Sequence, residues 1–395
     1  MRTKEMTMNA LANIAATVST ASLDYSVFKK AMLNACKVIE KKNTIPVLGT
    51  VMIKASRNGV MVTGTDMDLY TTTLVSGRVS KDFTCLIDAH KLKATMDKVK
   101  DAADINFVLD GESLVASIGK LNLTLTQPHN VEDFPVDDAF RQKLKQSNCS
   151  FLLPSATLAT ILSKIEFAIS TEETRYYLNG VFLHVNETRK KLTFVTTDGH
   201  RLARYELDVP AGAGAMHDAG AIIPRKTVTE LLRLLKRKDC PADTLVTVTP
   251  TGASFLVGED ELLESKLIDG VFPDYQRVIP TQHKHRPSVR TAPFIDGIKQ
   301  ASSILSEKGK AVRLNFRADR LLLTCTDPEF GTASTDVHII DGQDLEIGFN
   351  AGYLLQILSQ LDGGALLELG DAGDPAIIKD GADDAVTYVL MPTRV

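Results

Sequence analysis

The residues best suited to chemistry lie within residues 196–204, a stretch that reads Thr-Thr-Asp-Gly-His-Arg-Leu-Ala-Arg. Asp198 and His200 could act as an acid–base pair, or as two ligands of a metal-assisted phosphoesterase. Such a metal site needs further ligands, and no second histidine or carboxylate cluster stands at ligand spacing. The pair His283-x-His285 lies in a linker that contains Lys, Arg and Pro, which favours a solvated position. The sequence therefore disfavours an enzyme.

Two β-type runs, Lys191–Val195 and Leu202–Val209, flank this stretch and predict that it forms a turn. The same dipeptide occurs as Thr65-Asp66, Thr197-Asp198 and Thr326-Asp327, at intervals of 132 and 129 residues. Repetition at a nearly fixed interval indicates a duplicated architecture. We therefore predict three similar units of β-α-β-β-β type.

An aspartate at the same turn of three repeats is most simply a turn residue whose carboxylate accepts main-chain N–H bonds. His200 and Arg201 differ, because the first repeat has Asp68-Leu69 at these positions and the third has Glu329-Phe330. These two residues are candidates for a function of the middle repeat alone.

The bulk composition is that of a globular protein with more than one domain. The chain has 395 residues, of which 44% are hydrophobic and 24% charged, and a length prior gives two to three domains. No run of about 18 apolar residues predicts a membrane span. The five cysteines are scattered without a C-x-x-C pair, which predicts a cytoplasmic protein and neither disulfides nor a zinc site. Residues 1–20 lack periodicity and predict a disordered extension, since Asn13 and Thr17 interrupt the apolar run that a signal peptide needs.

Helical periodicity is clearest in the first and middle repeats. In the first helix the apolar stripe consists of Val27, Phe28, Ala31, Met32, Ala35, Val38 and Ile39. A later helix, predicted over residues 225–238, carries Arg225, Lys226, Arg233, Lys236, Arg237 and Lys238, and the first helices add Lys29, Lys30, Lys37, Lys164 and Lys299. Basic helices in successive repeats of a chain with net charge −4 suit sequence-independent phosphate contact.

Several motifs in this order resemble the bacterial DNA polymerase III beta subunit family, the β sliding clamps. The resemblance runs from about residue 21 to the C-terminus. It rests on Ile45-Pro46-Val47-Leu48-Gly49, Gly64-Thr65-Asp66, Arg175-Tyr176-Tyr177-Leu178-Asn179-Gly180, Thr197-Asp198-Gly199-His200-Arg201-Leu202-Ala203, Phe272-Pro273-Asp274-Tyr275-x-Arg277-Val278, Gly348-Phe349-Asn350 and Tyr388-Val389-Leu390-Met391-Pro392-x-Arg394.

The resemblance implies an α+β fold with three tandem duplicated clamp domains, over residues 21–146, 147–279 and 280–395. It implies a head-to-tail homodimer that forms a ring around duplex DNA, with the helices inside and the sheets outside. Twelve helices at ~10 Å spacing enclose an opening of roughly 28 Å, which admits a hydrated duplex. The implied function is a non-enzymatic tether without cofactors. Its implied partners are double-stranded DNA, the replicative DNA polymerase alpha subunit, the clamp loader, translesion polymerases and repair proteins.

The resemblance also assigns residues to three surfaces. The peptide-binding groove takes Leu178, Thr197, Gly199, His200, Arg201, Leu202, Pro273, Arg277, Val278, Asn350, Tyr353, Val389, Leu390, Met391, Pro392 and Arg394. Leu, Val and Met would line this groove, and His200, Arg201, Arg277 and Arg394 would supply a polar rim. DNA contacts map onto Lys42 and the Tyr176-Tyr177 pair, to which the periodicity adds Arg225, Lys226, Arg233 and Arg237. The dimer contact maps onto Leu123 and Leu125 of one subunit, with Ile304 and Leu305 of the other.

The sequence departs from the family pattern at Thr393, Val395 and Pro375 and in its N-terminal extension, which favours a divergent or secondary clamp. A clamp-like scaffold that binds peptides without encircling DNA stays open as an alternative. The basic helices argue against it.

Overall fold

The computed structural model describes residues 18–111, 113–186, 188, 190–306 and 310–394. Its α-helices are α1 (Tyr25–Val38), α2 (Ala89–Met96), α3 (Asp138–Lys145), α4 (Ser155–Ile165), α5 (Arg225–Leu235), α6 (Thr291–Ser302) and α7 (Ala351–Leu358). Short 3-10 turns include Glu166–Ala168, Glu173–Leu178 and Tyr275–Val278.

The strands fall into three runs along the chain. The first run is β1 (Ser19–Asp24), β2 (Thr50–Ser56), β3 (Gly59–Thr65), β4 (Leu69–Val75), β5 (Gly77–Val79), β6 (Phe83–Asp88), β7 (Asp104–Asp110), β8 (Ser113–Ile118) and β9 (Leu121–Leu125). The second is β10 (Cys149–Pro154), β11 (Gly180–Val185), β12 (Lys191–Thr197), β13 (Arg201–Asp208), β14 (Ala221–Pro224), β15 (Asp243–Val248), β16 (Gly252–Val257) and β17 (Glu261–Lys266). The third is β18 (Ser288–Val289), β19 (Ala311–Phe316), β20 (Arg320–Asp327), β21 (Gly331–Ile340), β22 (Leu345–Asn350), β23 (Ala365–Glu368), β24 (Ala376–Asp380) and β25 (Asp383–Leu390).

The predicted β-α-β-β-β order is confirmed, and each repeat contains it twice. Across the described part of the chain, the order strand, helix, three strands occurs six times. Only β5 and α3 among the described strands and α-helices fall outside this order. Each half-repeat therefore contributes one helix and one set of strands, which is the arrangement of a duplicated domain.

The strands pair across the repeats, so the two compact units of the chain do not coincide with them. One unit comprises residues 1–155 and 229–266, and the other comprises residues 156–228 and 267–395. In the first unit, β4 of the first repeat pairs with β17 of the second through Leu263 and Thr71. In the second unit, β13 pairs with β25 through Leu202 and Val389.

The first unit contains two sheets. The five-stranded sheet has the order β5-β1-β7-β8-β9, and the eight-stranded sheet has the order β10-β15-β16-β17-β4-β3-β2-β6. Strands of both sheets bury their apolar residues in one cluster with α1 and α2. Gly64 allows α1 to approach β3, because a Cβ there would lie 2.9 Å from the carbonyl oxygen of Ala35.

Helix α1 shows how local sequence sets this packing. The Asp24 carboxylate caps the helix by accepting a bond from the Val27 amide at 3.0 Å. Phe28, Ala31, Met32 and Ala35 are fully buried on one face. Val27 was predicted on the same stripe, but it is 44% exposed, because it lies about 100° around the helix from Phe28.

The second unit contains one sheet of twelve strands, in the order β14-β11-β12-β13-β25-β24-β23-β18-β21-β20-β19-β22. Alternate residues of the central strands face opposite sides of this sheet. One side carries the apolar cluster that forms the candidate groove.

Most of the predicted N-terminal extension, residues 1–17, lies outside the described residues. Its predicted end at residue 20 is wrong, because Ser19 and Thr20 already pair with β7 as part of β1. In the described part of the chain, no helix has the length and apolarity required to span a membrane.

Candidate functional site

The β12–β13 turn is built around the Asp198 carboxylate. Oδ1 of Asp198 accepts bonds from the main-chain amides of His200 and Arg201, at 2.9 and 3.1 Å. The Gly199 amide donates to Oγ1 of Thr197 at 3.1 Å, and Gly199 has a φ of +87°, which favours glycine.

The corresponding aspartates of the other repeats make the same bonds. Oδ1 of Asp66 accepts from the amides of Asp68 and Leu69 at 3.0 and 2.7 Å. Oδ1 of Asp327 accepts from the amides of Glu329 and Phe330, both at 3.0 Å. The prediction that this aspartate is a turn residue is confirmed.

We expect the Asp198→Ala substitution to lower the free energy of unfolding by about 1–3 kcal/mol, because two main-chain donors lose their acceptor. Chemical denaturation of the full chain measures this loss. Asp66→Ala is the comparison and should cost less, since it removes the same two main-chain bonds from another repeat, whereas Asp198→Ala also takes the carboxylate from Arg201. An Asp198→Ala variant as stable as the wild type would contradict the structural role.

Arg201 was expected on the polar rim of the groove, but its guanidinium is engaged within the protein. Its side chain is 8% exposed, and its Nε donates to Oδ2 of Asp198 at 3.0 Å. Its other nitrogens donate to the carbonyl of Phe167, at 2.7 Å, and to the side chain of Gln356. Because these partners occupy the guanidinium, Arg201 is a structural part of the site rather than its rim.

His200 and Tyr353 form an exposed aromatic pair beside Arg201. Their ring centroids lie 5.8 Å apart with an interplanar angle of 27°. Tyr353 lies in the first turn of α7, where its amide donates to the capping side chain of Asn350 at 3.1 Å. The imidazole is exposed and the tyrosine ring half-buried, so a ligand can reach both.

The C-terminal segment continues β25 along this pair. The Met391 amide donates to the carbonyl of His200 at 2.9 Å, and the Thr393 amide donates to the carbonyl of Gly348 at 2.8 Å. Met391 and Arg394 are exposed and Pro392 is half-buried, whereas Val395 lies outside the described residues. These bonds hold the predicted groove residues of the C-terminus next to the β12–β13 turn.

An apolar cluster forms the floor between these segments. Its buried members are Leu178, Val195, Leu202, Ile222, Phe272, Tyr275, Ile377 and Val389. Leu390 was predicted to line the groove, but it is fully buried on the other face of β25 because side chains alternate along a strand. Pro273, Val278 and Met391 are exposed, so they are the predicted apolar groove residues that a ligand can touch.

The floor is closed on one side by the linker segment Tyr275–Val278. Burial raises the pKa of Tyr275 to about 12, and its hydroxyl lies 2.9 Å from Nε2 of His184. Burial also lowers the pKa of His184, so this pair is neutral at pH 7. Arg277 points outward and pairs with Asp274 at 2.7 Å, as a rim residue would.

The predicted DNA contacts differ in how exposed their side chains are. Lys42 and Arg225 are exposed, and Lys226 is half-buried. Tyr176 is 52% exposed, whereas Tyr177 is half-buried against the apolar cluster. Tyr176 is therefore the more accessible of the two rings for stacking on a base.

Arg233 and Arg237 were predicted to contact DNA, but both are engaged inside the first unit. Nε of Arg233 donates to Glu230 at 2.8 Å, and its NH2 donates to Asn34 at 3.0 Å. Arg237 forms a two-pronged ion pair with the buried carboxylate of Glu261, with one bond of 2.6 Å. Because Glu230 and Glu261 neutralise them, Arg233 and Arg237 stabilise α5 and the segment that follows it.

Lys164 was also counted with the basic helix faces, and this prediction is wrong as well. Its side chain is buried and its Nζ lies 2.9, 3.2 and 3.3 Å from Asp362, Asp380 and Asp383. Three carboxylates thus surround the cation, and Lys164 holds α4 to the end of β24 in the second unit.

The His283-x-His285 pair is not a solvated linker segment. Nε2 of His283 lies 3.3 Å from the buried carboxylate of Glu368, and His285 forms a β-bridge with Leu369. The prediction of solvation is wrong because the segment extends the pairing of β18 with β23 beyond the end of β23. Within the described residues, no three or more His, Cys, Asp or Glu side chains form a group that could hold a metal ion.

The candidate dimer residues lie at surface positions of separate units. Leu123 and Leu125 are half-buried on β9, which pairs with β8 and forms the edge of the five-stranded sheet. Ile304 and Leu305 are half-buried just beyond the end of α6. An edge strand offers free main-chain groups to a second chain.

Two side chains of the site, Phe167 and Gln356, were not predicted. They contact Arg201 across 34 and 155 residues of sequence. Neither stands in a motif, so no signal in a single sequence identifies them.

Known proteins match this chain in all three repeats. Family models of the DNA polymerase III beta subunit match residues 21–138 with the N-terminal domain, 152–274 with the central domain and 276–394 with the C-terminal domain. The beta sliding clamp of Caulobacter vibrioides (strain NA1000 / CB15N) is 35% identical over 383 residues, which cover 95% of this chain and 99% of that protein. The beta sliding clamp of Escherichia coli (strain K12) is 32% identical over 360 residues, or 89% of this chain and 93% of that one.

Solved structures give the same result. A DnaN sliding clamp from Bartonella birtlesii, bound to griselimycin, is 35% identical with a TM-score of 0.87 and covers 95% of this chain and 100% of its own. A DnaN sliding clamp from Pseudomonas aeruginosa, also bound to griselimycin, is 26% identical with a TM-score of 0.86 and the same coverage. The three repeated domains and these relatives together establish that the chain belongs to the DNA polymerase III beta subunit family, the bacterial beta sliding clamps.

Proposed function

We propose that the protein closes as a head-to-tail homodimer around duplex DNA and moves along it without sequence preference. Partner proteins bind its groove through short linear peptides and are thereby tethered to the DNA. The partners are the replicative DNA polymerase alpha subunit, the clamp loader, translesion polymerases and repair proteins. The protein is not an enzyme, and it acts in the cytoplasm on chromosomal DNA.

The groove is the observation that carries the tethering role. The apolar cluster contains Phe272, Tyr275 and Val389, and the nearby residues in sequence Pro273, Val278 and Met391 are exposed. The His200–Tyr353 pair adds two rings that a ligand can reach. Apolar pockets with a few fixed polar groups are typical of sites that bind short peptides. We propose that the remaining predicted residues, such as Arg277, Asn350 and Arg394, complete its rim.

The hydrogen bonds of the Asp198 carboxylate support a binding role of the site over a catalytic one. Two main-chain amides and the Arg201 guanidinium already bind its oxygens. A general base must offer a free oxygen to a substrate proton. Asp198 therefore orders the wall of the groove.

The DNA contacts that we propose are weaker than the sequence suggests. Arg233 and Arg237 pair with carboxylates, so the contacts that we propose are Lys42, Tyr176, Arg225 and Lys226, whose side chains are exposed or half-buried. Few phosphate contacts suffice when a closed ring keeps the protein on DNA, and strong ones would slow its movement.

We propose three domains, over residues 21–146, 147–279 and 280–395, in each subunit of the ring. Leu123 and Leu125 on the β9 edge of one subunit would pack against Ile304 and Leu305 of a second copy. An edge strand with half-buried leucines supports this arrangement, because pairing would cover both its main chain and its apolar side chains.

We expect the protein, once a clamp loader and ATP have placed it on nicked circular plasmid DNA, to stay bound through gel filtration. Cutting the plasmid once should release it, because a ring slides off a free end. The amount of protein that co-elutes with DNA before and after the cut measures this. Equal retention on linear DNA with free ends would contradict encirclement.

A Leu125→Arg variant provides the control for the closed ring. It should elute as a monomer and fail to stay on circular DNA, while it still binds griselimycin in calorimetry. If the wild type binds griselimycin in calorimetry but is not retained on circular DNA, the result would instead support a scaffold that never encircles DNA.

A further inference from the structure

The guanidinium of Arg201 connects the groove to residues that have no place in the peptide-binding surface. Its Nε bonds to Asp198 in the turn, at 3.0 Å. Its two terminal nitrogens bond to the carbonyl of Phe167, at 2.7 Å, and to Oε1 of Gln356 on α7. Partners in three directions fix the plane of the guanidinium.

The guanidinium also makes cation–π contacts with two aromatic rings. The central carbon of the Arg201 guanidinium lies 5.0 Å from the ring of Phe167 and 4.5 Å from the ring of Tyr353. Tyr353 in turn stacks on His200, at 5.8 Å between centroids. A series of pairwise contacts thus runs from Phe167 through Arg201 and Tyr353 to the exposed imidazole of His200.

We propose that Gln356 and Phe167 are positioning residues of the peptide-binding groove. They fix Arg201, which fixes the ring of Tyr353, and so they set the orientation of the two rings that a ligand meets. This inference rests on the proposed groove, but Gln356 and Phe167 act on the ligand only through Arg201.

The contacts of Gln356 show why its loss would reach the groove. Gln356 is exposed to solvent, yet its side-chain oxygen accepts a bond from the buried guanidinium of Arg201. It also lines a cavity of about 620 Å³ together with Asn350 and Tyr353. Without the amide, the guanidinium loses one of its fixed partners, and the adjacent space allows the tyrosine ring to turn.

The test compares Gln356→Leu, which removes the acceptor at similar size, with Gln356→Glu, which retains a carbonyl-type oxygen. Griselimycin is the probe, and isothermal titration calorimetry gives its Kd. We expect Gln356→Leu to weaken binding by about tenfold, since a bond to a charged group is lost, and Gln356→Glu to restore it. Gln300→Leu, the same change at an exposed position of α6, should bind like the wild type.

A second readout separates positioning from stability. In the wild type, the ring of Tyr353 should displace the NMR signals of the His200 imidazole through its ring current. Gln356→Leu should return these signals toward those of a free histidine at a temperature where the variant is still fully folded, and Gln356→Glu should not.

The outcomes distinguish this inference from the proposed function. Wild-type protein that fails to bind griselimycin contradicts the groove itself, whatever the His200 signals show. If the wild type binds griselimycin and Gln356→Leu shows the same affinity and the same His200 signals, only the positioning role is contradicted.

Discussion

Replacing Lys164 with methionine should lower the free energy of unfolding by about 3–5 kcal/mol, the cost of removing one partner from a buried ion pair. The ammonium of Lys164 lies within 3.3 Å of the Asp362, Asp380 and Asp383 carboxylates. Asp380 is fully buried, and methionine would leave its charge without a cation. Calorimetry and chemical denaturation of the full chain measure the loss.

The pH dependence of this effect follows from the pKa of Asp380. Burial acts to raise this pKa, but bonds from the amides of Asp362, Ala382 and Gly363 and from Lys164 outweigh it and hold the pKa below 3.8. A depressed carboxyl pKa contributes stability that is fully present above about pH 4 and is lost as the pH falls through the folded value. The difference between Lys164→Met and wild type should therefore shrink below about pH 4, because protonation removes the unpaired charge.

Lys299→Met is the matched control, since Lys299 is exposed on α6. It should change stability by less than about 0.5 kcal/mol, as surface substitutions usually do. A Lys164→Met variant no less stable than Lys299→Met would show that the three carboxylates do not depend on this cation.

The second large effect should come from Arg237→Glu, which reverses the charge opposite Glu261. We expect a loss of about 4 kcal/mol or more, because two buried carboxylates would replace a two-pronged ion pair. Glu261 also accepts a bond from Asn34, at 3.3 Å, so the substitution disturbs its contact with α1. The melting temperature and the urea midpoint measure the result.

Lys238→Glu separates this structural effect from DNA binding. Lys238 is an exposed residue just beyond α5, and its reversal should leave the melting temperature unchanged. If Arg237→Glu melts like wild type and merely reduces retention on DNA, the original prediction of a DNA contact is restored.

The sequence by itself determined the repeat and the turn. Thr-Asp at nearly equal intervals predicted three equivalent turns, and the carboxylates of Asp66, Asp198 and Asp327 bind the same pair of amides in each. Such a turn is encoded within four residues, so the sequence alone is enough to predict it. Periodicity likewise predicted α1, because a buried face repeats every three to four residues.

Only the tertiary structure decided which basic side chains are free. Arg237 and Glu261 are 24 residues apart in sequence, and Lys164 and Asp380 are 216 apart. Charge on a helix face indicates exposure only if no carboxylate from another element pairs with it. Strand pairing between the second and third repeats brings Asp380 close to Lys164, and β17 brings Glu261 close to Arg237. Arg201 is the same case, since its partner Gln356 lies 155 residues away. The sequence therefore predicted the residues of the groove, while long-range packing decided which of their side chains are exposed and which are held by distant partners.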